Sequence, residues 1–178
     1  MSFAPIIDPL KSPVADHVVD SYSESNYDQD YNLYSGSIVG RGQSFTGDGS
    51  DISKATFYLK KTGSPTGNAV AKLYAHTGTY GTNGTPTGAA LATSDNFDVS
   101  TLSGSMALVD FSFSTPYTLA NGTYYVITIE YSGGDGSNYV VVGHDTSSSS
   151  HGGNRCYTSD GSSWTSNTGD VIFYVYGA

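Results

Sequence analysis

Apolar residues recur at every second position through much of this chain, the mark of a strand with one buried face. Ala55, Phe57 and Leu59 alternate with Thr56, Tyr58 and Lys60, and Ala69, Ala71, Leu73 and Ala75 alternate with Val70, Lys72 and Tyr74. Val109, Phe111 and Phe113 form a third set. In the strongest strand, Tyr124 to Tyr131, one face carries Tyr125, Ile127, Ile129 and Tyr131 and the other Tyr124, Val126, Thr128 and Glu130. Near the end, Val171, Phe173 and Val175 oppose Ile172, Tyr174 and Tyr176. Shorter strands are expected over 17–22, 41–46, 90–92, 95–99, 139–143 and 154–158.

Between these runs lies turn chemistry. Asp48-Gly49-Ser50-Asp51 and Asn121-Gly122 are turn signals. His76 to Ala89, rich in Gly, Thr and Pro, reads as a long loop, 23–36 as a polar Tyr-rich segment, and Ser147 to Ser150 as a loop tip. No stretch has helical periodicity. About nine or ten two-faced strands can hide their apolar sides only by stacking two sheets. The expectation is all-β: a single jelly-roll-like β-sandwich of antiparallel strands over 17–178. No repeat of fixed period appears, which argues against a propeller or solenoid.

Residues 1–16 differ. Pro5, Pro9 and Pro13 forbid a regular helix or a central strand there. Phe3, Ile6, Ile7, Leu10 and Val14 make the segment too apolar for a free tail. An extended arm packed on its own domain and a docking arm buried on another subunit are both consistent with this. In the docking case Phe3, Ile6, Ile7 and Leu10 carry the contact, each worth at most about 1.5–3 kcal/mol before ordering.

Composition narrows the function. The chain has 178 residues, enough for one domain, and a net charge of -9 with only seven Lys and Arg. That leaves no basic stripe for nucleic acid and disfavours an anionic membrane surface. No run approaches the roughly 18 apolar residues of a membrane span. The first residues lack the basic and apolar regions of a secretory leader, so synthesis in a cytoplasm is expected. Yet Ser and Thr make up about a quarter of the chain, and Tyr numbers 15, which suits an exposed surface protein.

Catalytic signals are faint. The two Glu residues, Glu24 and Glu130, are far apart in sequence, and Glu130 reads as the solvent-side charge of its strand. His144-Asp145 followed by serines lacks any sign of a triad's geometry, and His144 with His151 lacks zinc-type spacing. Asp28-x-Asp30-x-Asn32 starts like a calcium loop, but Leu33 stands where Gly is needed and no closing Glu follows. Cys156 reads as an unreactive strand residue. No enzyme, cofactor or metal is therefore expected. Tyr157 and Trp164, flanking a polar hairpin loop, are the candidate contacts for a glycan or a partner.

Four runs carry a family likeness: Gly42-Gln43-Ser44-Phe45-Thr46, Ala55-Thr56-Phe57-Tyr58-Leu59-Lys60, Ala71-Lys72-Leu73-Tyr74-Ala75-His76-Thr77-Gly78 and Leu119-Ala120-Asn121-Gly122-Thr123-Tyr124-Tyr125-Val126. With them, residues 40–178 resemble a family of small jelly-roll-like β-sandwich domains that recur in tailed-phage virion proteins and bacterial surface proteins. The resemblance implies a virion or cell-surface setting and no named activity. The expected function is a non-enzymatic virion protein, a capsid decoration or other accessory head or tail protein, with other virion proteins and copies of itself as partners. The alternative is a carbohydrate-binding module for cell-surface glycans, placed outside the cell or on its surface.

Overall fold

The computed structural model describes residues 15–178. The contacts expected of Phe3, Ile6, Ile7 and Leu10 lie outside the described residues. Among these residues fourteen strands run in order: β1 (His17–Tyr22), β2 (Gln29–Leu33), β3 (Gly40–Thr46), β4 (Ile52–Thr62), β5 (Asn68–Thr77), β6 (Thr85–Thr93), β7 (Phe97–Asp98), β8 (Ala107–Ser112), β9 (Tyr124–Glu130), β10 (Tyr139–Asp145), β11 (Arg155–Thr158), β12 (Trp164–Asn167), β13 (Asp170–Val171) and β14 (Phe173–Gly177). Two single-turn 3-10 helices, Glu24–Asn26 and Val99–Thr101, are the only helical segments described. Among the described residues no helix is long and apolar enough to cross a membrane.

The strands form two sheets, antiparallel throughout. In sheet 1, β4 has β8 along one edge. Its other edge is shared by β14 on the first half and β10 on the second. β1 flanks β14 and β2 flanks β10. Sheet 2 runs β12-β11-β3-β9-β5-β6. The facing sides meet in one core. Phe57, Leu59, Val140, Val142, Phe173 and Val175 come from sheet 1, and Phe45, Ala71, Leu73, Tyr125, Ile127 and Ile129 from sheet 2. The alternation read from β4, β5 and β9 points these residues inward, as a two-layer sandwich requires.

Three local departures from the sequence reading have clear causes. The loop expected from His76 to Ala89 is in its second half strand β6, which pairs with β5 through a bulge between Leu73 and Ala75. A bulge and a Pro are both tolerated on an edge strand, where one row of backbone groups needs no partner. The polar Tyr-rich segment contains β2, whose alternation is masked because its one tyrosine, Tyr31, packs against Arg41, Arg155 and His144. β12 consists of four polar or half-buried residues and forms by pairing with β11.

Candidate functional site

Sheet 2 has an outer face that is not flat. Val126, Thr128 and Cys156 point away from the sandwich core, yet each is at most 2% exposed. The cause lies in β3, where this face carries Gly40 and Gly42. A Cβ on Gly42 would sit 2.9 Å from Thr128 Cγ2, 3.0 Å from Val126 Cγ1 and 3.1 Å from Cys156 Sγ. A Cβ on Gly40 would sit 2.8 Å from Thr158 Cγ2 and 3.0 Å from Trp164 Cη2. Side chains from β9 and β11 thus converge over a strand stripped of its own, and the sheet curls until its edge strands β6 and β12 approach each other. Asn154 ties the curl at one end: its amide oxygen accepts from Gly84 N at 2.9 Å and its amide nitrogen donates to Gly84 O at 3.0 Å.

The concave side holds two adjoining clefts, which share Lys72 and Gly161. The larger, about 570 Å³, runs between Tyr74 and Trp164 and the start of β6. The smaller, about 310 Å³, is lined by Asn68, Glu130, Ser132 and Asp160 among others. The Tyr74 and Trp164 rings lie 6.1 Å apart at 60°. Between the clefts Lys72 Nζ meets Glu130 Oε2 at 2.6 Å, while Glu130 Oε1 accepts from Tyr74 Oη and Thr128 Oγ1, each at 3.0 Å. Burial and the Glu130 charge push the Tyr74 hydroxyl well above its ordinary range, so it remains a donor. Asp160 is held well below the usual carboxylate range by the amides of Ser163 and Ser162 and by the hydroxyls of Ser163 and Thr158. The groove therefore offers the half-buried Trp164 ring, backed by Tyr74, which is only 6% exposed, together with an ammonium and two carboxylates. That set suits a polyhydroxylated ligand, which needs apolar ring faces to stack on and charged groups to accept and donate hydrogen bonds.

Glu130 was expected to face solvent. Instead its side chain is 11% exposed. The alternation placed it correctly on the outer face, but the curl of the sheet turned that face into a groove floor.

Trp164 lies in this groove, opposite Thr158 in the β11–β12 ladder. Tyr157 pairs with Thr165 and Arg41 and therefore points to the other side of sheet 2. The two expected contact residues do flank one hairpin, but they line different clefts and form no common platform. The tyrosines of 22–34 also disperse. Tyr22 donates to Asp145 at 2.6 Å, Tyr27 packs edge-on against Tyr58, Tyr31 lies beside Arg41 and Arg155, and Tyr34 meets Tyr139.

The other polar candidates have structural partners. Asp145 Oδ1 accepts from the amides of Ser147 and Ser148, at 3.1 and 3.0 Å. His144 is buried, its Nδ1–H donating to Val142 O at 3.0 Å, and burial plus the nearby arginines hold its pKa well below the usual value. His151 Nε2 contacts Asp20 at 3.1 Å, and its Nδ1 accepts from Gly153 N at 3.0 Å. Asp28 accepts from the amides of Thr146 and Ser147, whereas Asp30 pairs with Lys60 at 2.5 Å, so the two carboxylates of the calcium-like run serve different partners. Among the described residues no three His, Cys, Asp or Glu side chains gather as metal ligands would.

Tyr74, Lys72 and Glu130 are the groove residues that sequence reasoning missed. The signal was present, since alternation puts all three on one face of β5 and β9. What it lacked was the register that brings β12 and Trp164 across from them. Compared with known protein families, characterised proteins and solved structures, the chain matches none.

Proposed function

We propose that the chain is a non-enzymatic accessory protein of a bacteriophage particle, a capsid decoration protein or a related head or tail protein, built on a jelly-roll-like sandwich. One observation carries this reading. The four sequence runs that resemble the phage and bacterial-surface domains fall on the framework, in β3, β4, β5 and the turn leading into β9. They supply the core residues Phe45, Phe57, Leu73 and Tyr125. The likeness is thus one of scaffold, and a scaffold displayed on a particle needs no catalytic centre. In this reading the apolar side chains Phe3, Ile6, Ile7 and Leu10 dock on other virion proteins, and several copies add avidity. The test is electron microscopy of particles assembled with the full chain and with its Ile6→Asp/Ile7→Asp variant. Density on the particle with the parent and none with the variant is expected. A particle lacking the parent protein refutes the proposal.

A second reading is favoured by the sheet 2 groove: recognition of a cell-surface glycan. Trp164, held by the buried Tyr74 behind it, provides the stacking surface, and Lys72, Glu130 and Asp160 provide hydrogen bonds to hydroxyls. Screening the full chain on a glycan array, with Trp164→Ala as control, tests it. Retention of a glycan by the parent and its loss in Trp164→Ala is expected. Retention of none, or equal retention by both, refutes it. The two readings are compatible, because an outward-facing virion protein is well placed to touch a host surface.

A further inference from the structure

The chain contains only two arginines, and the fold brings them together. Arg41 on β3 and Arg155 on β11 are each 7% exposed, and both guanidinium carbons lie over the ring of Tyr31, at 4.5 and 4.7 Å from its centroid. In a protein with sixteen Asp and Glu residues, neither makes an ion pair among the described residues. Arg41 makes one hydrogen bond, from Nη2 to Asn32 O at 3.2 Å, and Arg155 makes one, from Nη2 to Tyr31 Oη at 3.4 Å. Arg41 Nε, Arg155 Nε and Arg155 Nη1 are buried with no hydrogen-bond partner among the described residues.

This arrangement carries an electrostatic cost. Burying a charge without a counter-ion is costly, and burying two like charges side by side is more so. The strain shows in Arg41, whose pKa is lowered to about 10 by burial first and by the Arg155 charge second. Stacking on Tyr31 recovers part of the loss, since the ring face attracts a cation. It does nothing for the three unpartnered nitrogens.

Both arginines open onto a cleft of about 290 Å³ between the two sheets, lined by Tyr31, Ile38, Tyr157 and Asn167 besides. This cleft lies on the opposite side of sheet 2 from the Trp164 groove. Its remaining walls are two aromatic rings, one aliphatic side chain and one amide, with no carboxylate among them. The volume suits a small ligand rather than a polymer chain.

We propose that this cleft is an anion-binding site, in which Arg41 and Arg155 together hold an oxyanion, with the carboxylate of a small organic acid as the best-matched class. Guanidinium forks bind planar carboxylates through paired N–H groups, Nε with Nη2 or Nη1 with Nη2, and the Nη2 of Arg41 and of Arg155 is committed to only one hydrogen bond each, at 3.2 and 3.4 Å. Tyr31, Ile38 and Tyr157 would pack on the body that bears the carboxylate. The Tyr157 ring thereby acquires a role independent of Trp164, and the site stands whether or not the sheet 2 groove binds glycan.

The test is titration of the full chain, followed by NMR of its tyrosine and arginine side chains, with three probes: sodium glucuronate, sodium acetate and sodium sulfate. Saturable shifts at Tyr31, Tyr157 and the arginine Nε groups are expected with glucuronate, weaker ones with acetate. Saturable binding of sulfate alone assigns the same site to an inorganic source of oxyanion. Arg155→Lys keeps the charge but removes the fork and should weaken binding at least tenfold, and Arg155→Met should abolish it. Circular dichroism checks that the variants fold, and Arg41→Lys is the substitute if either does not. Absence of saturable binding for all three probes, or binding unchanged in folded Arg155→Met, overturns the proposal.

Discussion

Gly42→Ala tests the claim that the outer face of sheet 2 is a packed concavity rather than a solvated surface. Gly inside a strand is ordinarily a weakness, and replacing it by Ala on an open face would stabilise the protein by roughly 0.5–1 kcal/mol. Here the added methyl has no room. It would lie 2.9 Å from Thr128 Cγ2, 3.0 Å from Val126 Cγ1 and 3.1 Å from Cys156 Sγ, on three sides at once. All three neighbours are at most 2% exposed, so none can swing into solvent. Overpacking of this kind costs about 1–3 kcal/mol. For a chain of this length that corresponds to a fall in Tm of roughly 2–12 °C. Thermal unfolding followed by circular dichroism measures it. Thr128→Ser removes the nearest of the opposing carbons and keeps the hydroxyl, so the double variant should lose less than the sum of the singles by about 0.5 kcal/mol or more. Gly136→Ala, where no atom lies within 4 Å, is the control and should change little. A Gly42→Ala protein as stable as the parent, or more stable, would refute the curled-sheet account and with it the groove.

Other consequences are open to similar measurement. Tyr22→Phe removes the donor that meets Asp145 at 2.6 Å in a buried setting; it should cost about 1–3 kcal/mol in chemical denaturation, and no loss would mean the bond is dispensable. Burial alone would raise the pKa of Asp20, but the His151 hydrogen bond and charge and the Thr46 and Ser21 amides outweigh it and hold the group below 3.8. A carboxylate with a lowered folded pKa contributes stability that is present above its unfolded value and lost as the pH falls through the folded one. Tm should therefore drop below about pH 4, and more steeply in the parent than in Asp20→Asn; equal slopes would count against this. Cys156 is buried and its thiol is pushed well up by that burial, so a thiol reagent at neutral pH should label it only in denaturant, and rapid labelling of the native protein would contradict its placement.

What the sequence determined by itself was the set of strands and which side of each is apolar. Residues 55, 57 and 59 and residues 125, 127 and 129 are buried because side chains alternate across a pleated strand, a rule that needs no partner to operate. The all-β class and the two-layer stacking follow from that rule and from the scarcity of helix-forming residues. The hairpin around Trp164 was also legible, from a polar turn between two aromatic residues.

Tertiary structure decided everything that depends on strand order and curvature. Arg41 and Arg155 are 114 positions apart and meet only because β3 and β11 are neighbours in sheet 2. Trp164 reaches Tyr74 only because Gly40 and Gly42 let that sheet close on itself, and the same closure turned Glu130 from a surface charge into a groove residue. Tyr157 and Trp164 parted because they fall on opposite phases of one hairpin. Periodicity along a chain states which way a side chain points relative to its own strand; what it then meets is set by long-range pairing, which no local pattern encodes.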